Sequence, residues 1–505
     1  MPLNPSAGAA GFPGAIPRSI YLAPAAGFLY FLIRYRSPAY GAGGAMVLIA
    51  FHLFLQGRFR GPHRDGLPLG KAALILAAVA LPALGAWQFL QLRDLGDMDQ
   101  ASYSAGLWNI RHGNFRYSID GNNMFGIHSA YTALLWIPLH WLGGELGIKM
   151  GQGACLIAAS LLAVRDLRTP RDAAAWGALA ILLAPQVASQ FFFGFHPEIL
   201  AAPVLVLALR AYRKENLAFF LFCTAFLAYS KEVFTLAVGG ILLVALAERR
   251  SWKWILLPGL LCCAQMAVYW FLVMPRFAPE GNLLSFFMPT SPAQILDSWL
   301  RPRNLFYLLH ASLPFLPLMR VFPKRYLLLP LPLMAFYAAF PDPLFTVMWP
   351  NYAFPTAFLC AAGLVLDPDR LAARPQDGRI LAACAVLSLL SYPLWREAFS
   401  IPMGNLERAR EVDRLSASIP LDAPVVVNGP LLARFAARAE MASWGYRKKP
   451  LAHFEYAVID TVVPFWQFTS GQRARSADSL AADPAWTVQY AEKGLYVFRR
   501  KDAAP

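Results

Sequence analysis

Runs of apolar residues, each close to the length of a membrane-spanning helix, follow one another along most of this sequence. The hydrocarbon core of a bilayer requires about 20 apolar residues per helix, with a range of about 17–25. Because backbone groups in lipid must be satisfied internally, such runs fold as helices. We therefore expect a mainly α, polytopic bundle of about 11–13 transmembrane helices. The predicted helices cover residues 19–33, 42–57, 70–92, 147–164, 173–191, 197–212, 217–230, 233–247, 254–274, 304–319, 326–341, 351–366 and 380–397.

The composition excludes a soluble enzyme of this length. Of the 505 residues, 57% are hydrophobic and 15% are charged, whereas soluble domains carry about 25% charged residues. The six cysteines all lie in apolar runs and form no CxxC pair. We interpret them as buried apolar side chains rather than a disulfide framework or a metal site. Residues 1–17 lack the charged start and cleavage site of a signal peptide, so we expect none.

The positions of the basic residues predict the orientation of the bundle. With the helices above, the basic loops all fall on one side, which the positive-inside rule assigns to the cytoplasm. This bias, rather than binding to nucleic acid, explains the net charge of +15. We expect a multi-pass protein of the inner (plasma) membrane with a cytoplasmic N-terminus. The basic loops contain Arg58, Arg60, Arg64 and Lys71; Arg165, Arg168 and Arg171; Arg213 and Lys214; Arg249, Arg250 and Lys253; Arg320, Lys324 and Arg325; and Arg370, Arg374 and Arg379.

The chain divides into three predicted parts. Residues 1–69 form a hydrophobic hairpin with a basic cytoplasmic loop, and residues 70–397 form the transmembrane core. This core has a large first outer loop, 93–146, which contains the apolar, Trp-flanked stretch Tyr131–Leu142. That stretch is too short to span comfortably, so we interpret it as an interfacial or half-inserted helix. Residues 398–505 form a separate domain outside the cytoplasm.

This C-terminal part has ordinary charge and no spanning run. Its short apolar stretches alternate with polar segments, which predicts a small extracytoplasmic α/β domain. The predicted elements are a strand at Ala423–Asn428, an amphipathic helix at Leu431–Ala442, a strand at Tyr456–Val463, and a hairpin of residues 486–491 and 495–499.

Three carboxylates, Asp94, Asp97 and Asp99, come directly after the third apolar run and are followed by Gln100. A charge at bilayer depth costs about 2.5–3.5 kcal/mol on insertion scales, so a cluster of like charges at the boundary needs a partner. Arg93, a bound cation or a cationic transition state could supply it. We interpret the segment as a general base, or as carboxylates for a divalent cation such as Mg²⁺ or Mn²⁺, facing an extracytoplasmic cavity. The sequence does not decide whether a metal takes part, and a solvated loop that caps helices is the alternative.

Further polar residues fall on the same outer side and are candidates for substrate binding. Lys231 could hold a phosphate of a lipid-linked donor, and an outer arginine pair could do the same. Each also has a structural interpretation, since Glu198 suits the first turn of a helix and Lys231 with Glu232 suits a tight outer loop. The candidates are Gln100, Trp108 and His128 in the first loop, His196 and Glu198 in the next, Lys231 and Glu232 in the third, and Arg301 and Arg303 further on.

Four of these segments together resemble a known family. They are DLGDMDQASYSAGLWNIRHG, GIHSAYTALLWIPL, GFHPEILAAPVL and YSKEVFTLAV, in that order, and the C-terminal segment PVVVNGPLLARFAARAEM…FEYAVIDT is also similar. The family is that of the polytopic prokaryotic membrane proteins known as domain of unknown function 2079, and the resemblance covers most of residues 85–500. The sequence departs from the family pattern in two places. Ser129–Ala130–Tyr131 replaces the usual pattern around a proline, and Val233 replaces an acidic residue.

The family is similar in layout to the GT-C glycosyltransferases, which include protein mannosyltransferases and aminoarabinose transferases. The resemblance implies a polyprenyl-phosphate sugar donor and an envelope acceptor on the extracytoplasmic face. It implies that Asp94 deprotonates the acceptor hydroxyl, with Asp97 or Asp99 auxiliary. Lys231 and Arg301 or Arg303 would then neutralise the leaving phosphate, and the C-terminal domain would shape access for the acceptor.

Two other functions fit the same sequence. A transporter or lipid flippase would use the intramembrane Lys, Glu and His as relays, but it predicts internal repeats, which the sequence does not show. A non-catalytic envelope scaffold would tolerate replacement of the outer carboxylates. No phosphate-binding loop, HExxH or GxSxG motif is present, so nucleotide hydrolysis, zinc-peptidase and serine-hydrolase chemistry have no support.

Overall fold

The computed structural model of the chain describes residues 69–90, 97–115, 119, 123–168, 171–278, 291–301, 304, 307, 311–340, 354–373, 377–390, 406–445, 449–463 and 469–502. The first two predicted helices, at residues 19–33 and 42–57, lie outside these residues. The described part is a helical bundle followed by a small domain with one mixed sheet. This confirms the predicted fold class.

The first half of the bundle contains nine helices among the described residues, and most begin or end within a few residues of the predicted bounds. They are α1 (Leu69–Leu90), α2 (Asp97–Arg111), α3 (Ile137–Val164), α4 (Arg171–Leu182), α5 (Pro185–Phe192), α6 (Ala201–Arg213), α7 (Leu217–Ser230), α8 (Val233–Ala247) and α9 (Lys253–Val268). Shorter helical pieces accompany them at Met124–Ile127, Tyr131–Trp136, Pro197–Leu200, Tyr269–Val273 and Met274–Phe277.

The second half of the bundle is built from shorter helices. The main ones are α10 (Pro292–Leu300), α11 (Leu316–Val321), α12 (Leu331–Ala339), α13 (Phe354–Cys360) and α14 (Asp377–Leu390). Single turns lie at Leu313–Phe315, Lys324–Leu328, Gly363–Leu366 and Pro368–Ala372. Prolines begin many of these pieces, because proline fits the first turn of a helix and breaks its interior.

Three helical stretches in the described part are long and apolar enough to cross a membrane, namely Leu69–Trp87, Tyr131–Val164 and Lys253–Phe277. A fourth is added if Asp172–Leu182 and Pro185–Phe192, which meet at a bend of 65°, form one broken span. The predicted single helix at 173–191 is therefore wrong. Pro185 starts a new helix there, because a proline cannot continue the hydrogen bonding of the preceding one.

The predicted interfacial stretch Tyr131–Leu142 is set apart from the rest of its helix. It consists of the turn Tyr131–Trp136 and the start of α3, and a kink at Gly144 separates it from the long remainder. Gly144 has φ 56° and ψ −144°, a backbone conformation that is open essentially to glycine alone. Leu135, Trp141 and Leu142 are exposed on this stretch, as expected for a segment that contacts lipid.

A network of ion pairs lies at the C-terminal ends of α3 and α8. Asp166, after α3, pairs with Arg210 at 2.8 Å and with Arg213. Glu248, after α8, pairs with Arg325 at 2.7 Å and accepts a hydrogen bond from the Tyr212 hydroxyl. These residues belong to the basic loops that the sequence places on one side, so the described part confirms that several of those loops meet at the same end of the bundle.

The described residues of the C-terminal domain form two α-helices and five strands. The strand order is β2-β1-β3-β5-β4, in which β2, β1 and β3 are parallel and β5 is antiparallel to β3 and β4. The elements are α15 (Leu406–Ser418), β1 (Val425–Val427), β2 (Met441–Ser443), β3 (Tyr456–Asp460), α16 (Ser470–Ala482), β4 (Trp486–Glu492) and β5 (Leu495–Arg500).

The predicted strands and the hairpin of this domain are confirmed, but the predicted helix at Leu431–Ala442 is wrong. The chain forms a 3-10 turn at Gly429–Phe435 and then enters β2. Arg438 would lie on the polar face of the predicted amphipathic helix, but in the structure it is buried. Its guanidinium donates to the carbonyls of Phe435 and Ser416. The sequence also did not predict α15, β2 or α16.

Candidate functional site

Four side chains from three separate segments form a chain of acids and bases that is buried except at one end, and we call it the relay cluster: Asp99, His196, Glu198 and Lys231. Lys231 Nζ donates to Glu198 Oε1 at 2.5 Å, and the same oxygen lies 3.2 Å from His196 Nδ1. On the opposite edge of the imidazole ring, Nε2 lies 3.7 Å from Asp99 Oδ2. The side chains of His196, Glu198 and Lys231 are each only 4–5% exposed.

The helix boundaries of the bundle bring these residues together. His196 and Glu198 lie in the turn between α5 and α6, and Lys231 lies in the turn between α7 and α8. α6 and α7 pack against each other and are joined by three residues, and the ion pair between Glu198 and Lys231 shows that the start of α6 lies beside the end of α7. Asp99 comes from the first turn of α2. The structure thus brings four of the sequence-predicted site residues together.

Asp99 is the exposed end of the relay cluster. Its side chain is 38% exposed, in contrast to the nearly complete burial of His196. The Phe193 ring stacks on His196, and Tyr103 lies edge-on to the same imidazole. These aromatic rings restrict His196 to one orientation, so its two nitrogens face two different carboxylates.

The charges of the relay cluster stabilise one another. Burial alone would raise the pKa of the Glu198 carboxyl, but Lys231 and His196 lower it below its ordinary value. Burial would lower the pKa of Lys231, but Glu198 and Glu232 raise it. Both residues lie in turns outside the spanning helices. We conclude that Glu198 and Lys231 are both ionised near neutral pH.

A second acid–base pair adjoins Lys231. Glu232 Oε1 lies 2.6 Å from His128 Nδ1, and its other oxygen accepts from the backbone N–H of Ser129 at 3.3 Å. Burial would raise the pKa of Glu232, but His128 and Lys231 lower it to about 2. His128 comes from the first outer loop, just before Tyr131–Trp136. The pair therefore fixes that loop against the turn between α7 and α8.

Three polar residues of α3, which the sequence analysis missed, support the same site. Lys149 Nζ donates to the carbonyl of Phe193 at 2.9 Å, and Gln152 Oε1 accepts from the backbone N–H of His196 at 2.9 Å. Glu145 accepts from Gln100, whose own Oε1 accepts from the backbone N–H of Phe195. The spacing i, i+4, i+7 within an otherwise apolar helix is the signal that could have identified this polar stripe.

The remaining predicted site residues lie elsewhere or are not described. Asp94 and Arg303 lie outside the described residues, and only the backbone of Asp97 is described. Trp108 is nine residues after Asp99 in α2, which is about 13 Å along the helix axis, and it stacks on His112. Arg301 directly follows α10 and pairs with Asp297 of that helix. α10 packs on α12. The structure thus does not place Trp108 or Arg301 in the relay cluster.

The described residues contain no group of three or more His, Cys, Asp or Glu side chains arranged to hold a metal ion. The alternating sequence of acid and base in the relay cluster instead resembles the arrangement that positions a general base. Such a chain can hold one imidazole between two carboxylates and can exchange a proton at its exposed end.

Comparison with known proteins identifies the family. The family model described as "Predicted membrane protein (DUF2079)" matches residues 91–497, which includes the whole relay cluster and nearly all of the C-terminal domain. The chain belongs to this family. No match was found among curated proteins.

Two crystal structures of ArnT from Cupriavidus metallidurans share the fold of the chain. One has undecaprenyl phosphate bound and the other is in the apo state. Each has a TM-score of 0.52 and 15% sequence identity, and each alignment covers 84% of this chain and 97% of ArnT. At this identity the similarity establishes that the DUF2079 chain has an ArnT-like fold.

Proposed function

We propose that the chain is an integral membrane glycosyltransferase of the GT-C type. It would move a sugar from a polyprenyl-phosphate donor to an envelope acceptor on the extracytoplasmic face. The observation that carries this proposal is the relay cluster, in which a buried Lys231–Glu198–His196 chain ends at a partly exposed Asp99. The ArnT-like fold supports the choice of donor, since one ArnT structure has undecaprenyl phosphate bound.

The proposed reaction is a single displacement. The acceptor hydroxyl oxygen forms a bond to the anomeric carbon, and the bond between that carbon and the phosphate oxygen breaks, leaving its electron pair on the polyprenyl phosphate. The hydroxyl proton passes to a carboxylate of the acidic segment, which acts as general base. The configuration of the anomeric carbon is inverted.

Asp99 is the carboxylate of this segment whose side chain the structure describes, and we propose it as the proton acceptor. It is both exposed and linked to the relay cluster through His196. Asp94, which the family resemblance implies as the base, is proposed as a second carboxylate of the same site. His196, held by Glu198 at Nδ1, would face Asp99 through Nε2 and thereby orient the Asp99 carboxylate.

We propose a role for Lys231 other than binding the phosphate of the lipid-linked donor. Its ammonium group is already neutralised by Glu198 at 2.5 Å and is almost completely buried. A phosphate would have to displace that carboxylate to bind it. We therefore propose that Lys231 holds Glu198 ionised and in place, and that Glu198 in turn orients His196.

The proposed side of the membrane follows from the two ends of the bundle. The Arg-rich ion pairs of Asp166 and Glu248 lie at the ends of α3 and α8 that are remote from the relay cluster. The positive-inside rule assigns that end to the cytoplasm. The relay cluster and the C-terminal domain, which packs on α2, then lie on the extracytoplasmic side.

One experiment separates the three possible functions. The purified chain is placed in vesicles that contain polyprenyl-phosphate hexoses, together with envelope extract as acceptor. We expect free polyprenyl phosphate and a sugar-modified acceptor to accumulate. Movement of intact donor between leaflets without these products would instead indicate a flippase, and neither result would indicate a scaffold. Either of these two results would contradict the proposal.

A further inference from the structure

The C-terminal domain contacts the bundle on both sides of the acidic segment. Before the segment, Arg434 donates from Nη2 to the carbonyls of Phe89 and Leu90, at 3.0 and 3.2 Å. These two residues are the last of α1. After the segment, the domain packs along α2, whose first turn carries Asp99.

The contact of Arg434 with α1 is well suited to hold the end of that helix. The last carbonyls of a helix have no partner within it, and a cation there interacts favourably with the helix dipole. The guanidinium carbon also lies 4.7 Å from the centre of the Phe89 ring, a cation–π distance. On its other side, Arg434 pairs with Asp413 of α15 at 3.3 Å. Arg434 therefore links α1 directly to the body of the C-terminal domain.

The contact with α2 is apolar and extensive. Ala101 and Ala105 of α2 share one buried cluster with Leu431, Leu432 and Phe435 of the C-terminal domain. A polar contact is added where Asn109 Nδ2 donates to the carbonyl of Arg438 at 3.3 Å. Small alanine side chains allow the 3-10 turn Gly429–Phe435 to approach α2 closely. The same turn that carries Arg434 thus also holds α2.

We infer that the C-terminal domain fixes Asp99 against His196, and that Arg434 is the positioning residue that joins the end of α1 to this arrangement. The effect on catalysis rests on the proposed function, whereas the effect on the position of α1 and α2 does not. Asp99 and His196 are 3.7 Å apart, and a proton-transfer site tolerates little displacement. A domain that appears separate in the sequence therefore forms part of the catalytic geometry.

The test compares Arg434→Gln and Arg434→Lys with a control, Arg414→Gln, which changes an exposed arginine of α15. Hydrogen exchange is measured on the full-length protein in nanodiscs. In Arg434→Gln we expect exchange at 85–90 and 97–111 to become about 10-fold faster, while exchange at β1 and β3 is unchanged. Arg434→Lys should be intermediate because the ammonium group keeps the charge and can still donate, but lacks the planar guanidinium. Arg414→Gln should match the wild type.

Transfer kinetics give a second measurement. In Arg434→Gln we expect kcat to fall about 10-fold while the KM for the lipid donor stays within about 2-fold. Unchanged exchange at 85–90 and 97–111 would overturn the inference, as would equally fast exchange throughout the sheet, which would indicate a general loss of stability. If the wild type shows no transfer, the proposed function fails, and the exchange data still decide whether Arg434 positions α1 and α2.

Discussion

At the scale of single residues, the Lys231–Glu198 pair combines two buried charges that neutralise each other. Removing one partner of a buried ion pair typically costs about 3–5 kcal/mol, because the other charge is left uncompensated. His196 depends on the same pair, since Glu198 is its partner at Nδ1. The pair therefore contributes both to stability and to the orientation of the imidazole.

A double-mutant cycle tests this coupling. We expect Lys231→Met to lower the unfolding free energy by about 3–5 kcal/mol, and the double variant Glu198→Gln/Lys231→Met to lose much less than the sum of the two single losses. The measurement is thermal unfolding of the purified protein in detergent. Strict additivity of the two single effects would show that the two side chains are not paired.

The sequence identified all four residues of the relay cluster but not which of them pair. His196, Glu198, Lys231 and Glu232 interrupt apolar runs, and an ionisable residue at membrane depth is costly enough to indicate a function. The pairing of Glu232 with His128 joins residues 104 positions apart. Such a contact depends on how the helices pack, which no local pattern determines.

At the scale of elements, the kink at Gly144 divides α3 into a short first part, which we predict to be interfacial, and a long second part. The second part begins with Glu145, which accepts a hydrogen bond from Gln100 of α2. Gly143, one residue earlier, has ordinary helical geometry, and no atom lies within 4 Å of a Cβ built at either position. The two glycines therefore differ in backbone conformation rather than in available space.

This difference predicts opposite effects of the same substitution. Gly144→Ala should lower the unfolding free energy by about 1–3 kcal/mol, because alanine is strained at its positive φ. Gly143→Ala should be neutral or stabilising by up to about 1 kcal/mol, because it removes a flexible residue from a helix. Thermal unfolding of both variants is the measurement. Equal melting temperatures would show that the kink at Gly144 is not a fixed feature.

Helix positions could be predicted from the sequence more reliably than helix shape. The predicted helices at 217–230 and 233–247 match α7 and α8, because apolar runs between polar residues mark both ends. The kink at Gly144 and the bend before Pro185 were not predicted, since the hydropathy of a run does not change where it bends. Both irregular points lie next to segments that supply site residues. Departures from local sequence rules are common at functional sites.

At the scale of the whole molecule, the bundle has two chemically different ends. One end is closed by ion pairs between acidic residues and arginines, and the other carries the relay cluster beneath the C-terminal domain. The sequence predicted this polarity from the distribution of basic loops. It did not predict that the C-terminal domain holds α1 and α2, because the residues of that contact are ordinary arginines, alanines and leucines.

Asp99 is the proposed general base at the exposed end of the relay cluster, and the rate of polyprenyl phosphate release by Asp99→Asn tests this role most directly. The matched control is Asp369→Asn, the same change at an exposed carboxylate that pairs with Arg168 at the opposite end of the bundle. A positioned general base contributes about 10²–10⁴-fold to a rate. We expect Asp99→Asn to release polyprenyl phosphate at least about 100-fold more slowly than the wild type, with Asp369→Asn unaffected, whereas a wild-type rate in Asp99→Asn would contradict the account.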